Sequence, residues 1–152
     1  MDKIKNYLTR TKLEAFNCYM LHVSCYITMT ELNQIYKCNI CGNIVEMTHG
    51  GAGELVCCGA PMEQQFAKTE DEGVEKHKPT IERNDTGVIV RVGEITHPME
   101  SEHYIEWIEV VTEHRVYRKY LEPGSEPQVE IFLEAEHLAA RAYCNVHGLW
   151  VS

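Results

Sequence analysis

The sequence predicts an all-β protein, a small cysteine-built metal unit followed by an antiparallel β-sandwich. Three observations predict it. Four cysteines fall together as "CNIC" and "CC" between residues 38 and 58, in a stretch too short to hold a core of its own. From Thr80 onward, short β-branched and aromatic runs are punctuated by turn residues. No apolar run approaches the ~18–20 residues of a membrane helix, so no membrane partner is expected.

Composition narrows the function classes. The 152 residues leave room for one ordinary domain or two small ones. With 14 basic and 23 acidic residues the formal charge is -9, which makes a phosphate backbone a poor partner and removes nucleic acid from the expectation. The seven cysteines are odd in number and do not form a disulfide framework. That usage suits a reducing compartment, so the expected location is cytoplasmic.

Residues 1–32 are expected to be a poorly ordered extension. The first 28 carry four basic and two acidic residues, and "AFNCYMLHVSCYI" faintly resembles a signal peptide. Asn17, His22 and Ser24 interrupt the apolar stretch, and no small-residue cleavage site precedes Met29. A start of translation at Met29 accounts for the segment equally well. Cys18 and Cys25 receive no role.

Residues 33–68 form the metal unit. Cys38 and Cys41 share one tight turn, and Gly42 lets backbone amides approach their sulfurs. Cys57 and Cys58 are adjacent, whereas a zinc ribbon would repeat C-x2-C. Successive side chains of an extended segment point to opposite sides, so both sulfurs reach one metal only if the backbone bends. Gly59 and Pro61 can supply the bend. Four thiolates suit zinc or a single iron, and spacing does not choose between them. A vicinal disulfide competes with both.

The polar stretch "AKTEDEGVEKHKP" reads as a linker into the third unit, residues 69–152. There, "TIER", the turn "NDTG" and "VIVRVGEI" predict a hairpin. "HYIEWIEVV" alternates, with Ile105 and Trp107 on one face and Tyr104, Glu106 and Ile108 on the other. "RVYRKYLE", the turn "PGSEP" and "QVEIFLE" continue the pattern. "EAEHLAARAY" disagrees, because its propensity alone predicts helix. This unit also holds His77 between two lysines, His97 and His103 flanking a proline-containing loop, and Cys144 and His147 as C-x2-H. Each piece by itself is ordinary.

Together the segments resemble a specific family. "YKCNICGNIVEMTHGGAGELVCCGAPM" is similar to the desulforedoxin-type domain of desulfoferrodoxin. "EKHKP", "HPMESEHYIEWIE" and "YCNVHGLW" match, in order, the site segments of the catalytic domain in that family, the two-iron superoxide reductases. The resemblance spans residues 33–152. It implies two non-haem iron ions. Cys38, Cys41, Cys57 and Cys58 would hold the first. His77, His97, His103 and His147 would hold the second in a square plane, with Cys144 on the axis and the opposite position open. It also implies that "EAEHLAARAY" is extended, within an immunoglobulin-like sandwich. His22, His49, His114 and His137 remain ordinary.

The implied activity is one-electron reduction of superoxide to hydrogen peroxide, with no oxygen released. An axial thiolate pushes electron density toward the opposite position, as in haem–thiolate enzymes. By the resemblance, Lys76 guides the anion and organises the proton-delivering water, and Glu75 caps the open position in the oxidised state. The implied partners are superoxide and a rubredoxin-like electron donor, and a homodimer is implied as well. Two other readings stay open on the residues alone. One is a non-catalytic electron-transfer protein of rubredoxin type, and the other is a zinc-stapled interaction protein.

Overall fold

The computed structural model describes residues 29–152. The sequence features at positions 1–28, including the signal-like stretch, Cys18, Cys25 and His22, lie outside the described residues. The chain divides into two compact units, one ending at Phe66 and the other running from Ala67 to Ser152.

The smaller unit contains β1 (Ile35–Lys37), β2 (Ile44–Glu46), β3 (Val56–Cys57), β4 (Ala60–Pro61) and β5 (Glu63–Gln65). β1 is flanked by β2 and β5, both antiparallel, and β3 pairs with β4 as a separate hairpin. Pairing begins early: Met29 bridges to Ala52, and the Thr30 amide donates to the Gly51 carbonyl at 2.8 Å. Among its described residues only Ile35 and Cys38 are buried apolar side chains, so the hydrophobic effect alone cannot hold this unit together.

The larger unit contains the short helix α1 (Val74–His77), then β6 (Pro79–Arg83), β7 (Gly87–Val92), β8 (Ile105–Thr112), β9 (Val116–Tyr120), β10 (Gln128–Phe132), β11 (Leu138–Cys144) and β12 (Gly148–Val151). Two antiparallel sheets, β10-β7-β6 and β12-β11-β8-β9, form the immunoglobulin-like sandwich. Their facing sides share one core: Val88, Val90 and Val92 from β7, Val129 from β10, Ile105, Ile108 and Val110 from β8, and Ala140, Ala142 and Cys144 from β11. The segment "EAEHLAARAY" is extended and supplies β11, not a helix. Its alanines are good helix formers, but pairing on both sides with β8 and β12 outweighs propensity.

Two sequence expectations change. The expected linker is structured. Lys68 pairs in parallel with Trp150 of β12, and α1 follows a few residues later. The predicted alternation in β8 also breaks. Tyr143 pairs with Trp107 and Cys144 with Ile105, so Glu106 is an extra residue on β8. This bulge shifts the phase by one. Ile105 and Ile108 therefore both enter the core, whereas Trp107 and Glu109 lie on the other face of the sheet.

That other face is polar at its centre yet buried. Glu109 is fully buried and forms ion pairs with Arg141 of β11 and Arg118 of β9. The register places all three side by side. The Arg118 guanidinium also lies 4.5 Å from the Trp107 ring, which stacks on Tyr143.

Candidate metal centres

In the smaller unit, Cys38, Cys41, Cys57 and Cys58 bring their sulfurs within 4.8 Å of one another. Cys41 Sγ is 3.7 Å from Cys57 Sγ, and Cys57 Sγ is 3.9 Å from Cys58 Sγ. Metal–sulfur bonds of ~2.3 Å put tetrahedral sulfurs ~3.8 Å apart, so the set matches a four-thiolate site. All four thiols are free, and the vicinal disulfide is not formed. The bend needed for adjacent cysteines begins at Cys58 itself. Cys58 has φ 53° and Gly59 has φ 76°, the positive pair that a two-residue hairpin between β3 and β4 requires. Amides of Cys41 and Ile40 pull the Cys38 thiol down to about 7. Sharing with Cys41 and Cys57 pushes Cys58 up to about 12, so full deprotonation of the set calls for a cation.

In the larger unit, His77, His97, His103, Cys144 and His147 converge in the same way. His77 ends α1, His97 and His103 come from the β7–β8 loop, Cys144 ends β11, and His147 lies in the turn to β12. Adjacent ring centroids are 4.7 Å (77–97), 4.7 Å (97–103), 4.8 Å (103–147) and 4.5 Å (147–77) apart. His77 and His103 face each other across the ring at 6.3 Å, which makes the arrangement nearly square.

The hydrogen bonds choose the donor atoms. Nδ1 of His77 bonds the Gly73 carbonyl at 2.7 Å, and Nδ1 of His97 bonds the Pro98 carbonyl at 2.5 Å. A carbonyl only accepts, so both rings carry their proton on Nδ1 and keep a lone pair on Nε2. The Nε2 atoms of His77 and His103 lie 2.9 and 3.1 Å from His147 Nδ1, and Cys144 Sγ lies 3.5 Å from it. Neighbouring nitrogens on one metal at ~2.0–2.1 Å sit ~3 Å apart. His97 Nε2 is buried with no hydrogen-bond partner among the described residues, which is costly unless a cation takes its lone pair. Burial holds His97 down to about 4 and lowers His77 and His147, which favours the neutral form of these three rings near pH 7. Burial raises the Cys144 thiol, against the pull of the His147 and Val146 amides. Four imidazoles and one thiolate fit a redox-active iron.

Glu75 and Lys76 occupy exposed positions on α1 immediately before His77. The Ile95 amide donates to the Glu75 carbonyl at 2.9 Å, and the Gly93 amide donates to the Lys78 carbonyl at 3.1 Å, tying this turn to the His97 loop. Among the described residues, His49, His114 and His137 belong to neither donor set.

Sequence reasoning missed several residues that shape the site. Gly73 has φ 81°, and a Cβ there would stand 3.3 Å from His77 Nδ1, so glycine serves both the turn and the ring. Asn145 straps the two loops: its Oδ1 accepts from the Tyr104 amide and its Nδ2 donates to the Glu102 carbonyl, both at 3.0 Å. Trp150 stacks on His77. Proximity to a ligand was the available signal for Gly73 and Asn145, four residues before His77 and one after Cys144.

Comparison with known proteins agrees with both donor sets. The desulfoferrodoxin family profile matches residues 69–152, and that of the desulfoferrodoxin N-terminal domain matches residues 30–64. A desulfoferrodoxin homolog from Archaeoglobus fulgidus is 57% identical over 124 residues, covering 82% of this chain and 99% of its own length. A desulfoferrodoxin from Nitratidesulfovibrio vulgaris is 50% identical over 117 residues, covering 77% of this chain and 93% of its own. The solved superoxide reductase from Treponema pallidum superposes with a TM-score of 0.62 at 25% identity, covering 78% of this chain and 95% of its own. The matched stretches contain all nine donor residues at the spacing the geometry uses, and the chain belongs to the desulfoferrodoxin family.

Proposed function

We propose that this chain is a superoxide reductase, converting superoxide, one electron and two protons into hydrogen peroxide. The observation that carries this is the square of four histidines with a buried cysteine beside it. A rubredoxin-type electron carrier would need only the four-cysteine set, leaving these five residues unexplained. When bound at the histidine–cysteine set, ferrous iron supplies the electron. The assay is anaerobic reduction followed by superoxide exposure: hydrogen peroxide should form without oxygen, and release of oxygen would mark a dismutase instead.

The chain's own residues then divide the work. His77, His97, His103 and His147 would hold a cationic centre that favours an anion, and Cys144 would supply an electron-rich thiolate donor. Lys76 and Lys78, flanking His77, offset the repulsion that an acidic protein exerts on superoxide. Lys76 Nζ also orders the water from which the protons come. Glu75 would offer a hard oxygen donor to the oxidised centre. Its charge already bears on the His77 ring. Cys38, Cys41, Cys57 and Cys58 would hold the first iron. The electron donor is a rubredoxin-like carrier, as the family resemblance implies. The resemblance likewise supports a homodimer and, with the thiol usage, a cytoplasmic location. Among the described residues, no helix is long and apolar enough to cross a membrane. Residues 33–68 and 69–152 serve as the iron-staple and catalytic domains.

Lys76→Ala is expected to slow the reduced protein roughly ten- to thirtyfold, because an exposed unit charge acts through a high effective dielectric. The residual rate should depend less on salt than the parent's. Glu75→Ala should leave that rate nearly unchanged while altering the oxidised spectrum and the binding of added azide. Stopped-flow rates at two ionic strengths check both. A Lys76→Ala protein with the parent's rate and salt slope would leave this lysine without a steering role.

Cys41→Ser is expected to remove the four-thiolate absorption and lower stability, while superoxide reduction largely persists. Its motivation is that the five donors of the other set come from a separate segment. Loss of reduction in a folded variant that keeps its histidine-bound iron would make the first iron an obligatory relay.

A further inference from the structure

His77 is 3% exposed and stands on a very short element. It ends a four-residue helix whose N-cap, Gly73, makes no side-chain capping bond. The bond from Nδ1 to the Gly73 carbonyl sets the tautomer, and a single bond to one ring atom does not by itself set the ring plane. Something else must hold the plane that points Nε2 at His147.

The Trp150 indole lies against the His77 ring, with centroids 4.9 Å apart and planes within 17°. Trp150 is 1% exposed, and its Nε1 has no hydrogen-bond partner among the described residues. The indole is therefore held by ring contacts and its backbone, not by a polar tether. The backbone is fixed on both sides: the Lys68 amide donates to the Leu149 carbonyl at 2.9 Å, and the Val151 amide donates to the Lys68 carbonyl at 3.0 Å. Lys68 Nζ stands 5.4 Å from the indole centroid, and Asp71 pairs with it at 2.8 Å. A cation near an indole is attracted by the ring's negative face.

We propose that Trp150, clamped by Lys68, is a positioning residue for His77: it fixes the plane of that imidazole so that Nε2 faces the centre before any metal arrives. Pre-orientation removes a rotational cost from metal binding. Loss of such an outer contact typically weakens a metal site about tenfold or more. The flat ring is what the contact uses, so phenylalanine should serve and leucine should not.

The proposal rests on the histidine–cysteine set being an iron site. The test is the rate at which the intact oxidised protein gives up that iron to a chelator, followed by the single-thiolate charge-transfer absorption that the four-thiolate set does not share. Trp150→Leu should release iron about tenfold faster than the parent, and Trp150→Phe should stay close to the parent. Leu149→Ala controls for general loosening, since it empties a buried position on the opposite face of β12 and should leave release unchanged. A second readout needs no metal: the His77 ring resonances of the iron-free Trp150→Leu protein should show ring averaging absent from the parent. Parental release in folded Trp150→Leu, or equal acceleration by Leu149→Ala, overturns the positioning role. A parent protein lacking the single-thiolate band would overturn the iron-site assignment instead.

Discussion

Cys144→Ser is expected to bring superoxide reduction to background. Cys144 is fully buried at the end of β11, and its side chain leaves the sandwich core where the four imidazoles meet. Its sulfur also accepts the His147 amide at 3.4 Å, a contact that steadies a thiolate. Burial opposes ionisation here, so the thiolate exists because a cation stabilises it. A serine hydroxyl ionises far less readily and donates less electron density, so the axial push is lost. Iron should bind more weakly, and the single-thiolate charge-transfer band should disappear. Pulse radiolysis of the reduced variant measures the rate. Activity near the parent's would remove Cys144 from the donor set.

Glu109→Ala should be the most damaging substitution away from both centres. Glu109 is fully buried, and it faces Arg141, which is nearly as buried, and Arg118 at 2.7 Å through Nε. Removing one partner breaks a buried ion pair, which costs about 3–5 kcal/mol. That is a large share of the ~5–15 kcal/mol that holds a domain folded. The double variant Glu109→Leu with Arg141→Met removes both charges and should recover much of the loss, because a buried ion pair contributes little net stability over packed apolar groups. Urea unfolding at equal iron loading compares the three proteins. A Glu109→Ala midpoint within error of the parent's would show that water reaches Arg141.

The donor types available to both centres and the fold class are what the sequence by itself determined. Thiol and imidazole side chains at 38, 41, 57, 58, 77, 97, 103, 144 and 147 are legible because donor type is a property of each residue. The antiparallel sandwich is legible because alternating apolar runs and turn residues are local signals. Only the tertiary structure decided the rest. The phase of β8 depends on a bulge at Glu106, and a bulge exists only relative to the strand beside it. Propensity favoured a helix over "EAEHLAARAY", but β8 and β12 on either side made it a strand. The adjacent cysteines share one site because Cys58 takes a left-handed turn, and the hairpin around it stabilises that conformation. Trp150 reaches His77, and Glu109 reaches Arg141, across separations of 73 and 32 residues. Such contacts leave no periodic trace in the chain, since burial and pairing between distant residues depend on how the sheets close.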